Sequence, residues 1–199
     1  MSTMREPNPI AIAISDLHLS LLQPACRADK DWMEVQAHYL KQVRDWTDPQ
    51  ELPILCAGDI FDRWNAPPEL INFALEHLPN GMLCIPGQHD LPLHRMDLMH
   101  RSGYGVLKRV GKIRDLSDGP HETENLVVFG FGWEQEITPL NKRRNDKLHI
   151  ALVHKYVALN RETAFPNATK ECFLNSKLEK VLKTYDAVCI GDNHTPWMT

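Results

Sequence analysis

The sequence predicts an α/β fold in which two mainly parallel sheets pack together and are flanked by helices. Five short apolar runs have the length of buried strands, and segments with helical periodicity lie between several of them. Strands that alternate with helices are typical of a parallel sheet. Two further strand-like runs joined by a turn indicate an antiparallel addition, and hence a second sheet packed on the first.

The length and composition indicate a single soluble domain. The chain has 199 residues, of which 43% are hydrophobic and 24% charged, and it contains no apolar stretch of the roughly 20 residues that a membrane span requires. Its amino terminus is polar, and its five cysteines form no CxxC pair. We therefore expect one domain over residues 1–199, located in the cytoplasm, with reduced thiols and no membrane contact.

Each of the five apolar runs ends in residues that can bind a divalent metal. The pairs of run and polar group are Ile10–Ile14 with Asp16 and His18, Ile54–Ala57 with Asp59, Leu83–Pro86 with Gln88, His89 and Asp90, Ile150–Val153 with His154, and Val188–Ile190 with Asp192 and His194. Because ligands of α/β sheets bind at the carboxyl ends of the strands, we expect these groups to meet at one edge. The pattern indicates an enzyme with two metal ions.

Three segments have helical patterns. The first extends from Trp32 to Trp46, and the third from Ser176 to Tyr185. The second, Pro67 to Leu78, has a clear apolar stripe at helical spacing, and Asn65 is the residue that we expect to cap it.

The middle of the chain has a different pattern. Val106–Leu116 and Asn125–Trp133 are predicted to be strands, and the turn-rich sequence Ser-Asp-Gly-Pro between them favours an antiparallel pair. The segment Lys155–Cys172 is predicted to be irregular and to form a loop beside the substrate.

In order, the polar motifs are D-x-H, G-D-x-x-D, G-Q-H-D, a lone His after a strand, and G-D-x-H. This set closely resembles that of the calcineurin-like metallophosphoesterases, whose pattern is D-x-H, G-D-x-x-D, G-N-H-[DE], H and G-H-x-H. The resemblance extends from Asp16 to His194. It implies an α/β fold of the four-layer αββα type, with two metal ions at the strand ends.

The resemblance also implies a role for each motif residue. The first metal would be held by Asp16, His18 and His194, the second by Gln88, His154 and Asp192, and Asp59 would bridge the two. His89 would donate a proton to the leaving oxygen, or stabilise charge there, and Asp90 would orient its ring. Asp62 would hold a loop. Arg63 and His94 are candidates for contact with the substrate.

Three features depart from the family pattern. Gln88 stands in place of asparagine and is longer by one methylene, and Asp192 stands in place of histidine, so the ligand set has three carboxylates (Asp16, Asp59 and Asp192) instead of two. Oxygen donors favour Mn²⁺ or Mg²⁺ over Zn²⁺, so we expect two Mn²⁺ ions, with Mg²⁺, Fe²⁺ and Zn²⁺ as alternatives. Only five residues follow His194, so we expect either a chain that is shortened at its carboxyl end or one that closes its second sheet in another way, for instance through a partner.

The stretch Ala57–Asp62 and the aspartate at position 90 resemble the SbcD-type DNA-repair nucleases within the family. The leading prediction is therefore hydrolysis of phosphodiester bonds, with DNA or RNA as candidate substrates and an ATPase as candidate partner. The alternatives are a phosphatase or phosphodiesterase acting on a small molecule or phosphoprotein, and a non-catalytic binding scaffold.

The charge of the chain weighs against a general nucleic-acid-binding surface. The net charge is −4, and the basic residues form two candidate stripes, Lys108, Arg109, Lys112 and Arg114, and Lys142, Arg143, Arg144 and Lys147. Each stripe could also be an ordinary solvated surface.

Overall fold

The computed structural model describes residues 9–169, 172–195 and 197–199, so the polar amino terminus and part of the predicted irregular segment lie outside the described residues. The strands are β1 (Ile12–Ile14), β2 (Ile54–Cys56), β3 (Met82–Cys84), β4 (Ile113–Asp115), β5 (His121–Glu122), β6 (Leu126–Phe131), β7 (Leu148–His154) and β8 (Ala187–Gly191). The α-helices are α1 (Trp32–Thr47), α2 (Pro68–His77), α3 (Gly103–Arg109) and α4 (Ser176–Leu182). In the described part of the chain, no helix has the length and apolar character needed to cross a bilayer.

The strands form two four-stranded sheets. The first has the order β1-β2-β3-β4 and is parallel throughout. The second has the order β5-β6-β7-β8, in which only the short pairing of β5 with β6 is antiparallel. Residues 12–115 therefore build the first sheet and residues 121–191 the second.

The side chains of each strand alternate between a hydrophobic layer that lies between the two sheets and a second layer on the outer face of the strand's own sheet. In β7, Ile150 and Leu152 pack between the two sheets, whereas Ala151 and Val153 belong to a cluster on the outer face of the second sheet. In β2, Leu55 likewise faces the second sheet, and its neighbours Ile54 and Cys56 pack beneath α1, α2 and α3. Strands buried on both faces explain the continuous apolar runs. The predicted fold, two largely parallel sheets flanked by helices, is confirmed.

Three of the four α-helices in the described chain begin at a residue whose side chain caps them. The carboxylate of Asp31 accepts a hydrogen bond from the backbone N–H of Glu34 at the start of α1. Asn175 caps α4 in the same way. The prediction for α2 is wrong in one respect, because Pro67 rather than Asn65 is at the N-cap and no side chain caps the helix.

The predicted antiparallel pair between residues 106–116 and 125–133 is also wrong. The first half of the earlier run belongs to α3, which Ser102 caps through the backbone N–H of Gly105. A Cβ at Gly105 would lie 2.2 Å from the carbonyl oxygen of Met99, so this glycine permits close packing within a helix that its composition disfavours. The remainder of the run, β4, pairs in parallel with β3, and β6 pairs with β7 in the other sheet.

Candidate metal centre

The carboxyl ends of five parallel strands bring the predicted ligands together. They do not belong to a single sheet: β1, β2 and β3 of the first sheet supply Asp16, His18, Asp59 and Gln88, and β7 and β8 of the second supply His154, Asp192 and His194. The expectation of one sheet edge is therefore corrected, because the ligands meet where the ends of two packed sheets adjoin.

The first half of the centre is formed by three side chains. The Nε2 atoms of His18 and His194 are 3.3 Å apart, and Nε2 of His194 is 3.6 Å from Oδ1 of Asp16. The carboxylate of Asp16 also accepts the backbone N–H of Asp192 at 3.0 Å, which ties β1 to the segment after β8. One nitrogen or oxygen atom from each of Asp16, His18 and His194 lies within 4.8 Å of the others, so one ion could contact all three.

Asp59 lies between the two halves. Its carboxylate is almost fully buried, and its Oδ1 atom accepts the backbone N–H of His89 at 2.9 Å. Its other oxygen, Oδ2, has no hydrogen-bond partner among the described residues, and lies 3.3 Å from Nε2 of His154 and 3.9 Å from Nε2 of His18. A buried carboxylate oxygen without a hydrogen bond is costly, and a cation on either side would compensate for it.

The second half of the centre contains Gln88, His154 and Asp192. The Oε1 atom of Gln88 lies 2.7 Å from Nε2 of His154, and its Nε2 atom donates to Oδ1 of Asp192 at 2.9 Å. The Nδ1 atom of His154 donates to the carbonyl of Ala57 at 2.6 Å, which leaves Nε2 as the atom directed to the centre. The longer side chain of Gln88 thus reaches the ligands of the second site.

The electrostatic field in this half favours positive charge. Burial disfavours the charged form of His154, but the carboxylate of Asp59, whose Oδ2 atom lies 3.3 Å from Nε2 of His154, outweighs it and raises the pKa of His154 to about 9. Burial alone would raise the pKa of Asp59, yet the close imidazole of His154 and the backbone N–H of His89 hold it below its ordinary value. A divalent ion bound to the same oxygens would replace the proton on Nε2 of His154.

The close approach of two strand ends requires glycine at position 87. A Cβ there would lie 2.0 Å from Oδ1 of Asp59 and 2.6 Å from Nε2 of His154. The glycine of the G-Q-H-D motif therefore makes room for two of the predicted ligands.

Four predicted ligands have left-handed backbone conformations. Their φ angles are +54° for Asp16, +45° for His18, +52° for Asp59 and +86° for Asp192. Such residues cost roughly 1 kcal/mol or more each, and they concentrate at functional sites. Four of the eight non-glycine residues with positive φ in the described chain are thus candidate ligands.

His89 lies beside the first half of the centre. Its ring is edge-on to that of His18, with the centroids 4.9 Å apart, and its Nδ1 atom is 2.7 Å from the backbone carbonyl of Asp62. Because a carbonyl can only accept, Nδ1 carries a hydrogen, and Nε2 is the atom that can exchange a proton with a substrate.

The expected contact between Asp90 and the ring of His89 is wrong. The carboxylate of Asp90 is fully buried and accepts backbone N–H groups of Ile60, Phe61 and Gly87 at 3.1–3.2 Å. Burial and the nearby charge of Asp59 raise the pKa of Asp90 to about 7, even though the three hydrogen bonds oppose this shift. Asp90 therefore braces two ligand-bearing loops against each other.

The two candidate substrate contacts lie on neighbouring loops. Arg63 is 80% exposed and has its Nε atom 3.6 Å from Oδ2 of Asp62. His94 packs edge-on against Trp133 at 6.1 Å and, like Leu93, has a positive φ angle. Neither side chain belongs to the ligand clusters of the described residues, and their contact with the substrate stays a prediction.

These residues fit a divalent metal centre, because an unpartnered carboxylate oxygen lies between two imidazole nitrogens, with further carboxylate and amide oxygens around them. The fold and the site together define a metal-dependent phosphoesterase. The chain belongs to the calcineurin-like phosphoesterase family, whose model matches residues 11–196. That family uses a dinuclear centre of divalent ions. A search among curated proteins found no match to the chain.

Two residues near the site were not recognised from the sequence as structurally important. Asn193, between two predicted ligands, donates hydrogen bonds to the carbonyls of Val157 and Thr163. Trp133 supports His94 and packs against the core beneath the first sheet. Asn193 is a polar residue within the G-D-x-H motif, and this position is a sequence signal for its role. The carbonyl of Asp62 that orients His89 has no such signal in the sequence, because it is a backbone atom.

Proposed function

We propose that this protein hydrolyses phosphodiester bonds at a dinuclear metal centre. The observation that carries the proposal is the position of Asp59, whose unpartnered Oδ2 atom lies between His18 and His154. Asp16 and His194 would complete the first site.

Gln88 and Asp192 would complete the second site together with His154. When bound, a pair of divalent ions supplies an activated water nucleophile and neutralises charge on the phosphoryl oxygens. The amide of Gln88 and the carboxylate of Asp192 are oxygen donors, so we propose Mn²⁺ as the preferred ion. Tighter binding and faster turnover with Zn²⁺ than with Mn²⁺ would contradict this preference.

His89 and Arg63 would act on the substrate. The hydrogen bond from Nδ1 of His89 to the Asp62 carbonyl orients the ring, so that the protonated ring can donate from Nε2 to the departing alcohol oxygen. Arg63 is mostly exposed and follows the residue that orients His89, which places a cation where a phosphate could be bound.

The nature of the ester is the finer part of the proposal. The stretch Ala57–Asp62 and Asp90 support a nuclease of the SbcD type acting on DNA or RNA, with an ATPase as protein partner. In the described part of the chain, however, much of the expected basic surface is neutralised. Arg143 pairs with Asp186, Arg144 with Glu122 and Asp146, Lys147 with Glu122, and Lys108 with Asp115 and Asp118.

This neutralisation favours a second candidate, a phosphodiesterase or phosphatase acting on a small molecule, because wide duplex contacts need unpaired cations. The scaffold alternative has less support, since each predicted ligand position holds a side chain that can coordinate.

The deciding experiment is hydrolysis of bis-p-nitrophenyl phosphate by metal-stripped protein titrated with Mn²⁺, beside Asp59→Asn as the inactive control. Mn²⁺-dependent turnover that is lost in the control supports the proposal. Faster cleavage of p-nitrophenyl phosphate than of the diester would favour the phosphatase. Folded protein that is inactive with every divalent ion would refute catalysis and favour the scaffold.

A further inference from the structure

The segment after β7, residues 155–169, is here called the β7 loop. It begins directly after His154, a predicted ligand of the second site. The loop exposes two large apolar side chains, Leu159 at 38% and Phe165 at 48%. A loop that starts at a ligand and carries exposed apolar groups is well placed to touch the organic part of a substrate.

A second connection joins the β7 loop to the centre. The side-chain amide of Asn193 donates to the carbonyls of Val157 and Thr163, both at 2.9 Å. The indole N–H of Trp197 donates to the same Val157 carbonyl at 3.0 Å. Asn193 and Trp197 together are here called the clasp.

Asn193 occupies a particular place in the chain. It stands between Asp192, assigned to the second site, and His194, assigned to the first. When metal binding holds Asp192 and His194 in place, it also restricts the position of the Asn193 side-chain amide between them. The loop is thus tied to the centre twice, covalently through His154 and by hydrogen bonds through Asn193.

We propose that Asn193 is a positioning residue that couples metal occupancy to the order of the β7 loop. The inference rests on the proposed assignment of Asp192 and His194 as ligands. Ligation of Asp192 and His194 holds the amide of Asn193 against the loop, so the loop closes firmly only when the metals are bound. By linkage, contacts that hold the loop in place strengthen metal binding by the same factor.

The coupling can be measured without an activity assay. Hydrogen–deuterium exchange of peptides from the β7 loop, with and without saturating Mn²⁺, reports the order of the loop, and calorimetry reports the affinity for Mn²⁺. Since the clasp consists of three neutral hydrogen bonds, we expect Mn²⁺ to slow exchange in the loop by about tenfold.

Two variants open the clasp, and one serves as a matched control. Asn193→Ala removes both amide bonds, and Trp197→Phe removes the indole bond without touching the ligand segment. Tyr156→Phe removes the hydroxyl that accepts the backbone N–H of Phe165 at 2.9 Å, so it loosens the loop at a bond that involves neither clasp carbonyl.

In Asn193→Ala we expect Mn²⁺ no longer to slow hydrogen–deuterium exchange in the β7 loop. We also expect the affinity for Mn²⁺ to fall by about the same factor as the lost slowing, about tenfold. Trp197→Phe should give a smaller change in the same direction. Tyr156→Phe should exchange faster with or without Mn²⁺ and keep both the slowing and the affinity.

The failures of the two proposals are distinguishable. If the unaltered protein binds Mn²⁺ but its loop exchange does not respond, or if folded Asn193→Ala retains the full slowing, the coupling is wrong and the metal centre stands. If the unaltered protein binds no Mn²⁺ at all, the ligand assignment is refuted and the coupling with it.

Discussion

Replacement of Asp59 by asparagine tests the reasoning about the centre most directly. The change preserves the shape of the side chain, and the remaining oxygen can still accept the backbone N–H of His89. It removes the negative charge and the unpartnered oxygen between His18 and His154. The expected result is a large loss of metal affinity in a protein that remains folded.

The pKa of His154 indicates the size of this loss. The pKa is raised from 6.5 to about 9 against the opposing effect of burial, chiefly by Asp59. The surroundings therefore stabilise one positive charge by roughly 3 kcal/mol. The same carboxylate favours a metal ion at this place, so Asp59→Asn should weaken Mn²⁺ binding on the order of 100-fold.

Calorimetric titration of metal-stripped protein with Mn²⁺ measures this change, with a thermal melt to verify folding. The control is Asp97→Asn, because the carboxylate of Asp97 is 60% exposed, pairs with Arg95 and belongs to no candidate ligand group of the described residues. The control should bind Mn²⁺ within a few-fold of the unaltered protein. Unchanged stoichiometry and affinity in Asp59→Asn would refute the bridging assignment.

Three further predictions concern residues around the centre. His89→Asn should keep its Mn²⁺ affinity and lose roughly 10²–10⁴-fold in turnover of an alkyl diester, but much less with p-nitrophenyl esters, whose leaving group needs no proton; equal losses on both substrates would exclude a general acid. Asp90→Asn should lower the free energy of unfolding in urea by about 1–3 kcal/mol, because three buried N–H groups lose their charged acceptor, whereas Asp97→Asn on the surface should leave it unchanged. Gly87→Ala should weaken Mn²⁺ binding and cost about 1–3 kcal/mol of stability, since its Cβ would overlap Asp59; a variant with normal affinity and melting would show that the strand ends can separate.

The sequence predicted the ligand-bearing strands well because two independent signals coincide there. Each run is apolar on both faces, as in a parallel sheet, and each ends in a group that only a ligand site would explain. The run at 106–116 contains apolar residues but does not end in a candidate ligand. Its apolar residues are equally compatible with a helix, and the structure places its first four residues in α3.

The sequence could not reveal which strand pairs with which. The run at 125–133 was paired with the run at 106–116, whereas β4 of that earlier run pairs with β3 and β6 pairs along its length with β7. Pairing is decided by packing between layers, and a single sequence carries no direct record of those contacts.

Adjacency in the chain was also misleading at Asp90. His89 and Asp90 belong to one 3₁₀ turn, Gln88–Asp90, in which successive side chains point in different directions. His89 faces the centre, and Asp90 faces the buried N–H groups of the neighbouring loop. Which carbonyl holds His89 could not be predicted, because every residue has such an atom.

The division of the chain between the sheets has a consequence for assembly. The part of the chain before residue 117 contains Asp16, His18, Asp59 and Gln88, and the part after residue 120 contains His154, Asp192 and His194. Neither part therefore has a complete set of the proposed ligands. A cut in the turn at 117–120 would leave two fragments whose reunion recreates the centre. The two metal ions would then bind ligands from both fragments. The affinity of the fragments for each other should therefore increase with the concentration of divalent ions.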